Sequence, residues 1–114
     1  MIKIYHNQMC SKSRAALSLL EERGEEFVVT EYLNQVPSKE ELEGIVKMLG
    51  IRPIDLIRKN EEVFKQNYAD MELKDDQWID IMIQNPILIE RPIVVRDGIA
   101  TIGRPIENII ELLK

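Results

Sequence analysis

Ile2-Lys3-Ile4-Tyr5 alternates apolar and polar and then meets the polar stretch His6-Asn7-Gln8, which predicts a short strand entering a loop. From Ser11 to Arg23 the period lengthens to that of a helix: Ala16, Leu17 and Leu20 share one face, and Gly24 is a C-terminal stop. Glu26 to Tyr32 is rich in β-branched and aromatic residues and predicts a second strand. Strand, helix and strand in about thirty residues make a βαβ unit, with parallel strands and a right-handed crossover.

The middle of the chain has helical period throughout. Ser38 and Glu41 have capping-box spacing, Leu42, Ile45, Val46 and Leu49 follow at i, i+3, i+4, i+7, and Gly50 closes the helix. Arg52-Pro53 opens a helical turn expected to end near Asn60, and Glu61 to Asn67 reads as another short helix. Asp75 to Gln84 places Trp78, Ile79, Met82 and Ile83 on one face, and Pro86 stops it. Ile93-Val94-Val95 and Ile99-Ala100-Thr101 then flank Arg96-Asp97-Gly98, a hairpin signal. Pro105 suits the first position of a last helix, where Ile106, Ile109, Ile110 and Leu113 form the apolar stripe. The order is β-α-β, a helical block, then β-β-α. The expected fold is α/β: a single thioredoxin- or glutaredoxin-like domain over residues 1–114, built on a small mixed sheet, with a helical insertion at about 37–86.

Composition narrows the function. The chain has 114 residues, 45% of them hydrophobic, enough for one core. A net charge of -5 argues against direct nucleic-acid binding, which needs surplus cations to neutralise phosphates. One histidine and one cysteine rule out a His/Cys zinc cage and an internal disulfide. No apolar run is long enough to span a bilayer, and the first residues do not read as a signal peptide. With its unpaired thiol, the chain is expected to be cytoplasmic.

Cys10 is the residue best placed for chemistry. It stands where the first strand turns into the first helix, and a helix N-terminus offers free N–H groups and partial positive charge. A thiolate is stabilised there and becomes nucleophilic at neutral pH. A lone cysteine is more often inert and buried, but such a residue sits in a strand or on an apolar helix face, and this loop is polar. His6, four residues earlier, either tunes the thiolate or is a structural histidine at a strand end. Ser13, one helical turn on, carries a hydroxyl that could reach the thiolate. Arg58, Arg91 and Arg104 suit an oxyanion by their planar forks, although each alone reads as a surface residue.

Four motifs in register carry a resemblance. His6-Asn7-Gln8-Met9-Cys10-Ser11-Lys12-Ser13-Arg14 resembles the active-site loop of the glutaredoxin-linked arsenate reductases. Ile57-Arg58-Lys59-Asn60, the arginine-proline segment from Pro86 to Val95, and Gly103-Arg104-Pro105 resemble their three arginine motifs. The chain departs from the pattern at Gln8, where the family usually has proline, and at Ser11-Lys12, where its best-known members have Gly-Thr. The resemblance implies Cys10 as nucleophile, Arg58, Arg91 and Arg104 as the oxyanion site, and a cis Pro92 facing the cysteine. It implies reduction of arsenate to arsenite with no metal and no bound cofactor, glutathione being the external reductant and glutaredoxin the protein partner. The same family includes the Spx regulators, which bind RNA polymerase and commonly carry Cys-x-x-Cys. Ser13 stands at the second of those positions here, so that disulfide switch is impossible. Two alternatives stay open: a Spx-like regulator that binds RNA polymerase, and a thiol oxidoreductase without arsenate specificity.

Overall fold

A computed structural model describes all of residues 1–114. The chain forms two compact units, one of residues 1–35 and 91–114, the other of residues 36–90.

The first unit is built on a four-stranded sheet in the order β2-β1-β3-β4, made of β1 (Ile2–His6), β2 (Phe27–Glu31), β3 (Ile93–Arg96) and β4 (Ile99–Ile102). β1 runs parallel to β2, with Ile4 opposite Val29, and antiparallel to β3, with Ile4 opposite Val94. β3 and β4 pair antiparallel across the turn at Asp97-Gly98. Both turn residues have positive φ, 50° and 81°, the left-handed backbone that a two-residue hairpin turn needs. Helices α1 (Ser11–Glu22) and α5 (Glu107–Leu112) complete the unit. Ile2, Ile4, Ala16, Leu20, Val94 and Ile109 form its core, with Leu17, Phe27 and Leu113 packed around them. This βαβ unit followed by a hairpin and a helix is the thioredoxin-like arrangement, with a small mixed sheet.

The second unit, Val36–Glu90, is the inserted helical block. It holds α2 (Lys39–Leu49), α3 (Glu62–Asn67) and α4 (Asp75–Gln84). Ser38 caps α2 by accepting the Glu41 N–H at 3.1 Å, and Gly50 ends it with φ 70°. Leu42, Ile45, Phe64, Trp78, Ile79 and Met82 are buried, and the Phe64 and Trp78 ring centroids lie 6.1 Å apart. No helix of the protein is long and apolar enough to cross a membrane.

Several boundaries differ from the sequence pattern. The helical turn at Pro53 ends at Leu56 rather than near Asn60, because Ile57 extends to bridge Ile89. α3 starts at Glu62, with Glu61 as its N-cap. Pro105 is not the first residue of the last helix, which starts at Glu107. The Asn108 N–H reaches the Pro105 carbonyl and the Ile109 N–H the Ile106 carbonyl, so the segment opens as a tight i→i−3 turn.

Candidate active site

The loop after β1 is held by its own polar groups. The Cys10 N–H donates to the Asn7 carbonyl at 3.0 Å, and the Asn7 side-chain oxygen accepts the Met9 N–H at 2.9 Å. Arg14 donates to the Gln8 carbonyl at 2.8 Å. Cys10 is then the N-cap of α1, in extended conformation, and its carbonyl accepts the Arg14 N–H at 3.0 Å. No side chain caps this helix. Its first N–H groups favour a negative charge at the sulfur, those of Ser13 and Lys12 lowering the Cys10 pKa.

Two arginines from the far end of the sequence meet that sulfur. Arg104 Nη2 lies 3.1 Å from Cys10 Sγ, and its Nε donates to the Arg91 carbonyl at 2.7 Å. The Arg91 side chain also donates to the thiol. The Arg91–Pro92 peptide bond is cis, as is Arg104–Pro105. Burial pushes the Cys10 thiol up, but the Ser13 N–H, the Arg91 side chain, the Lys12 N–H and the Arg104 charge pull it down, and the balance is a lowered pKa. The arrangement therefore presents a buried thiolate beside two guanidinium groups, suited to attack on the central atom of an oxyanion.

His6 and Ser13 form a second layer. His6 Nδ1 and Ser13 Oγ are 2.6 Å apart, and Ser13 Oγ accepts the Asn7 N–H at 3.0 Å. Burial lowers the His6 pKa and the Arg14 charge adds to that, against a raising effect of Glu31. The serine hydroxyl is thus engaged with His6 and Asn7, and Ser13 reaches the thiol through its main-chain N–H. Arg58 belongs to the helical unit, where it donates to Glu90 at 2.6 Å and to Glu61 at 3.4 Å. Of the sequence-derived site residues, the structure gathers His6, Cys10, Ser13, Arg91 and Arg104 around the turn into α1, and Arg58 is held by carboxylates of its own unit.

The model of one family, the ArsC family, matches residues 5–112. The chain belongs to the ArsC family. It is 44% identical over 114 residues to an arsenate reductase of Neisseria meningitidis serogroup A, a match covering 98% of this chain and 97% of that one. It is equally similar, at 44% over 98% of its length and 96% of the relative's, to the uncharacterized protein YfgD of Escherichia coli K12. Among solved structures, an arsenate reductase from Vibrio cholerae superposes with a TM-score of 0.91 at 45% identity, over 96% of this chain and 95% of that one.

Within this ArsC-family chain, two supports of the loop carried only weak sequence signals. Asn7 is buried, and its side chain and carbonyl both shape the turn. Asparagine before a helix start is a turn signal of that kind. Arg14 ties the Gln8 carbonyl, and nothing in its helical position marks it as a loop clamp.

Proposed function

We propose that this protein reduces arsenate to arsenite, with the Cys10 thiolate as nucleophile. The observation that carries the reading is the Cys10 sulfur 3.1 Å from Arg104, inside the N–H groups of α1, in a chain of the ArsC family. The named arsenate reductases among its relatives support the choice of oxyanion. Arsenate docks on Arg91, Arg104 and the helix N-terminus, whose donors offset its charge. The sulfur attacks arsenic, an S–As bond forms, and one oxygen leaves as water after taking up protons. An external thiolate then attacks the Cys10 sulfur. The S–As bond breaks, its electron pair stays on arsenic, and arsenite leaves with arsenic reduced from the pentavalent to the trivalent state. The two sulfurs are left as a mixed disulfide, which a further thiol reduces. The family resemblance makes the first thiol glutathione and the second glutaredoxin, with no metal and no bound cofactor, and gives Arg58 a part in holding an intermediate.

The test is arsenate-dependent NADPH oxidation coupled through glutathione, glutaredoxin and glutathione reductase. The parent turns over and Cys10→Ser does not, because a hydroxyl does not ionise near neutral pH. An active Cys10→Ser protein, or a parent with no arsenate-dependent rate, would overturn the reading.

A further inference from the structure

Arg104 reaches the Cys10 sulfur from the link between β4, which ends at Ile102, and α5, which starts at Glu107. A long side chain on such a link is held only as firmly as the backbone beneath it. Here that backbone is tied from two directions in the sequence. The Gly103 N–H donates to the Pro92 carbonyl at 2.9 Å. From α5, Asn108 Nδ2 donates to the Ile102 carbonyl at 3.0 Å and to the Arg104 carbonyl at 3.2 Å. The primary amide carries two N–H groups, enough for both bonds. The Asn108 main-chain N–H donates in turn to the Pro105 carbonyl at 3.0 Å. One residue thus serves the carbonyls of Ile102, Arg104 and Pro105. β4 is an edge of the sheet, where outward carbonyls have no neighbouring strand to donate to them, and Asn108 meets the last of these. At the far end of the same side chain, Arg104 Nε is fixed on the Arg91 carbonyl and Nη2 on the sulfur.

We propose that Asn108 is a positioning residue for reaction at Cys10: its side-chain amide, by bridging the Ile102 and Arg104 carbonyls, fixes the link between β4 and α5 and so keeps the Arg104 guanidinium on the sulfur. Its effect passes through Arg104. Without the bridge the link gains backbone freedom, Arg104 spends time away from the sulfur, and its support of the thiolate weakens. The inference rests on the proposed function, with Cys10 as the reactive thiol.

Iodoacetamide alkylation of Cys10 against pH tests it without arsenate. Asn108→Leu keeps a side chain branched at the same carbon and improves helix propensity, but removes both amide donors. Its alkylation midpoint is expected to rise from the parent's towards that of Arg104→Ala. In an Arg104→Ala background the same substitution is expected to add no further shift, because the group through which Asn108 acts is gone. Asn108→Ser keeps a hydroxyl that can donate to the carbonyl four residues back, that of Arg104, and is expected to shift the midpoint less than Asn108→Leu. Thermal melting confirms that each variant is folded over the pH range read. A loss of packing alone would lower Tm without any dependence of the midpoint on Arg104. If Asn108→Leu does not fold, the same cycle with Asn108→Ser decides. A midpoint equal to the parent's in the Asn108 variant, with that of Arg104→Ala raised, overturns the proposal and leaves the proposed function standing. A shift as large without Arg104 as with it also overturns the proposal. A parent whose Cys10 does not alkylate overturns the proposed function as well.

Discussion

Burial alone would make Cys10 a poor nucleophile, since an apolar surrounding disfavours the charged thiolate. The N–H groups of Ser13 and Lys12 and the guanidinium groups of Arg91 and Arg104 reverse that effect. With the pKa lowered in the folded protein, a larger share of Cys10 is thiolate at a given pH than in an ordinary cysteine, and that share falls as pH drops through the lowered value. The rate of iodoacetamide incorporation against pH should therefore have its midpoint below that of the same cysteine in the unfolded chain. Arg104→Ala should raise that midpoint, because its charge and its 3.1 Å contact with the sulfur both favour the thiolate. A midpoint the same in parent and variant would contradict the assignment of Arg104 to the thiolate. Ser13 is expected to behave differently. Ser13→Ala removes the oxygen that serves both His6 Nδ1 and the Asn7 N–H, but keeps the main-chain N–H that serves the sulfur. It should cost about 1–3 kcal/mol of stability, a fall in Tm of roughly 4–12 °C by thermal melting. The midpoint of thiol alkylation should hardly move.

The elements that were legible in the sequence are those fixed by neighbours in the chain. The alternation Ile2-Lys3-Ile4, the stripe of α1 and the Asp97-Gly98 turn each depend on residues a few positions apart, and each forms as the pattern predicts. The link between β4 and α5 was not legible, because it is set by contact across the fold. A Cβ on Gly103 would stand 2.9 Å from the Pro92 ring and 2.7 Å from Ile109. The Gly103 N–H also donates to the Pro92 carbonyl at 2.9 Å. Glycine is needed there for space between the segment that carries Arg91 and the helix that follows Arg104, and no local turn signal states that. Gly103→Ala should destabilise the protein by about 1–3 kcal/mol, the range for overpacking, measured by denaturant unfolding. Because the wedge pushes on Pro92 beside Arg91 and on the chain beside Arg104, iodoacetamide reactivity of Cys10 should fall as well. A variant as stable as the parent would mean that Pro92 and Ile109 yield more easily than their buried setting implies. The gathering of the site is illegible for the same reason as the glycine. Arg104 and Cys10 are 94 residues apart in the chain, and only the pairing of β1 with β3 and of β3 with β4 brings them to one place.

At the scale of the whole molecule, the count of one cysteine decides how the proposed reaction would be completed. Taking arsenic from the pentavalent to the trivalent state needs two electrons, and two thiols supply them by joining as a disulfide. This chain brings one sulfur to that pair, so the second belongs to another molecule. The route through an external thiol makes a specific trapped species. With arsenate in excess and glutathione at one equivalent per chain, intact-mass spectrometry should show the protein heavier by one glutathione, attached at Cys10. Arsenite released should not exceed the glutathione added. Without any added thiol, arsenite should stay below one equivalent per two chains, the limit set if two Cys10 sulfurs joined each other. Cys10→Ser should show neither the adduct nor arsenite. The adduct should disappear on adding glutaredoxin with excess glutathione, and the free thiol should return. A parent that releases arsenite beyond the added thiol would show that another group donates the electrons. A covalent dimer through Cys10 in place of the glutathione adduct would move the second sulfur from a small thiol to a second copy of the chain.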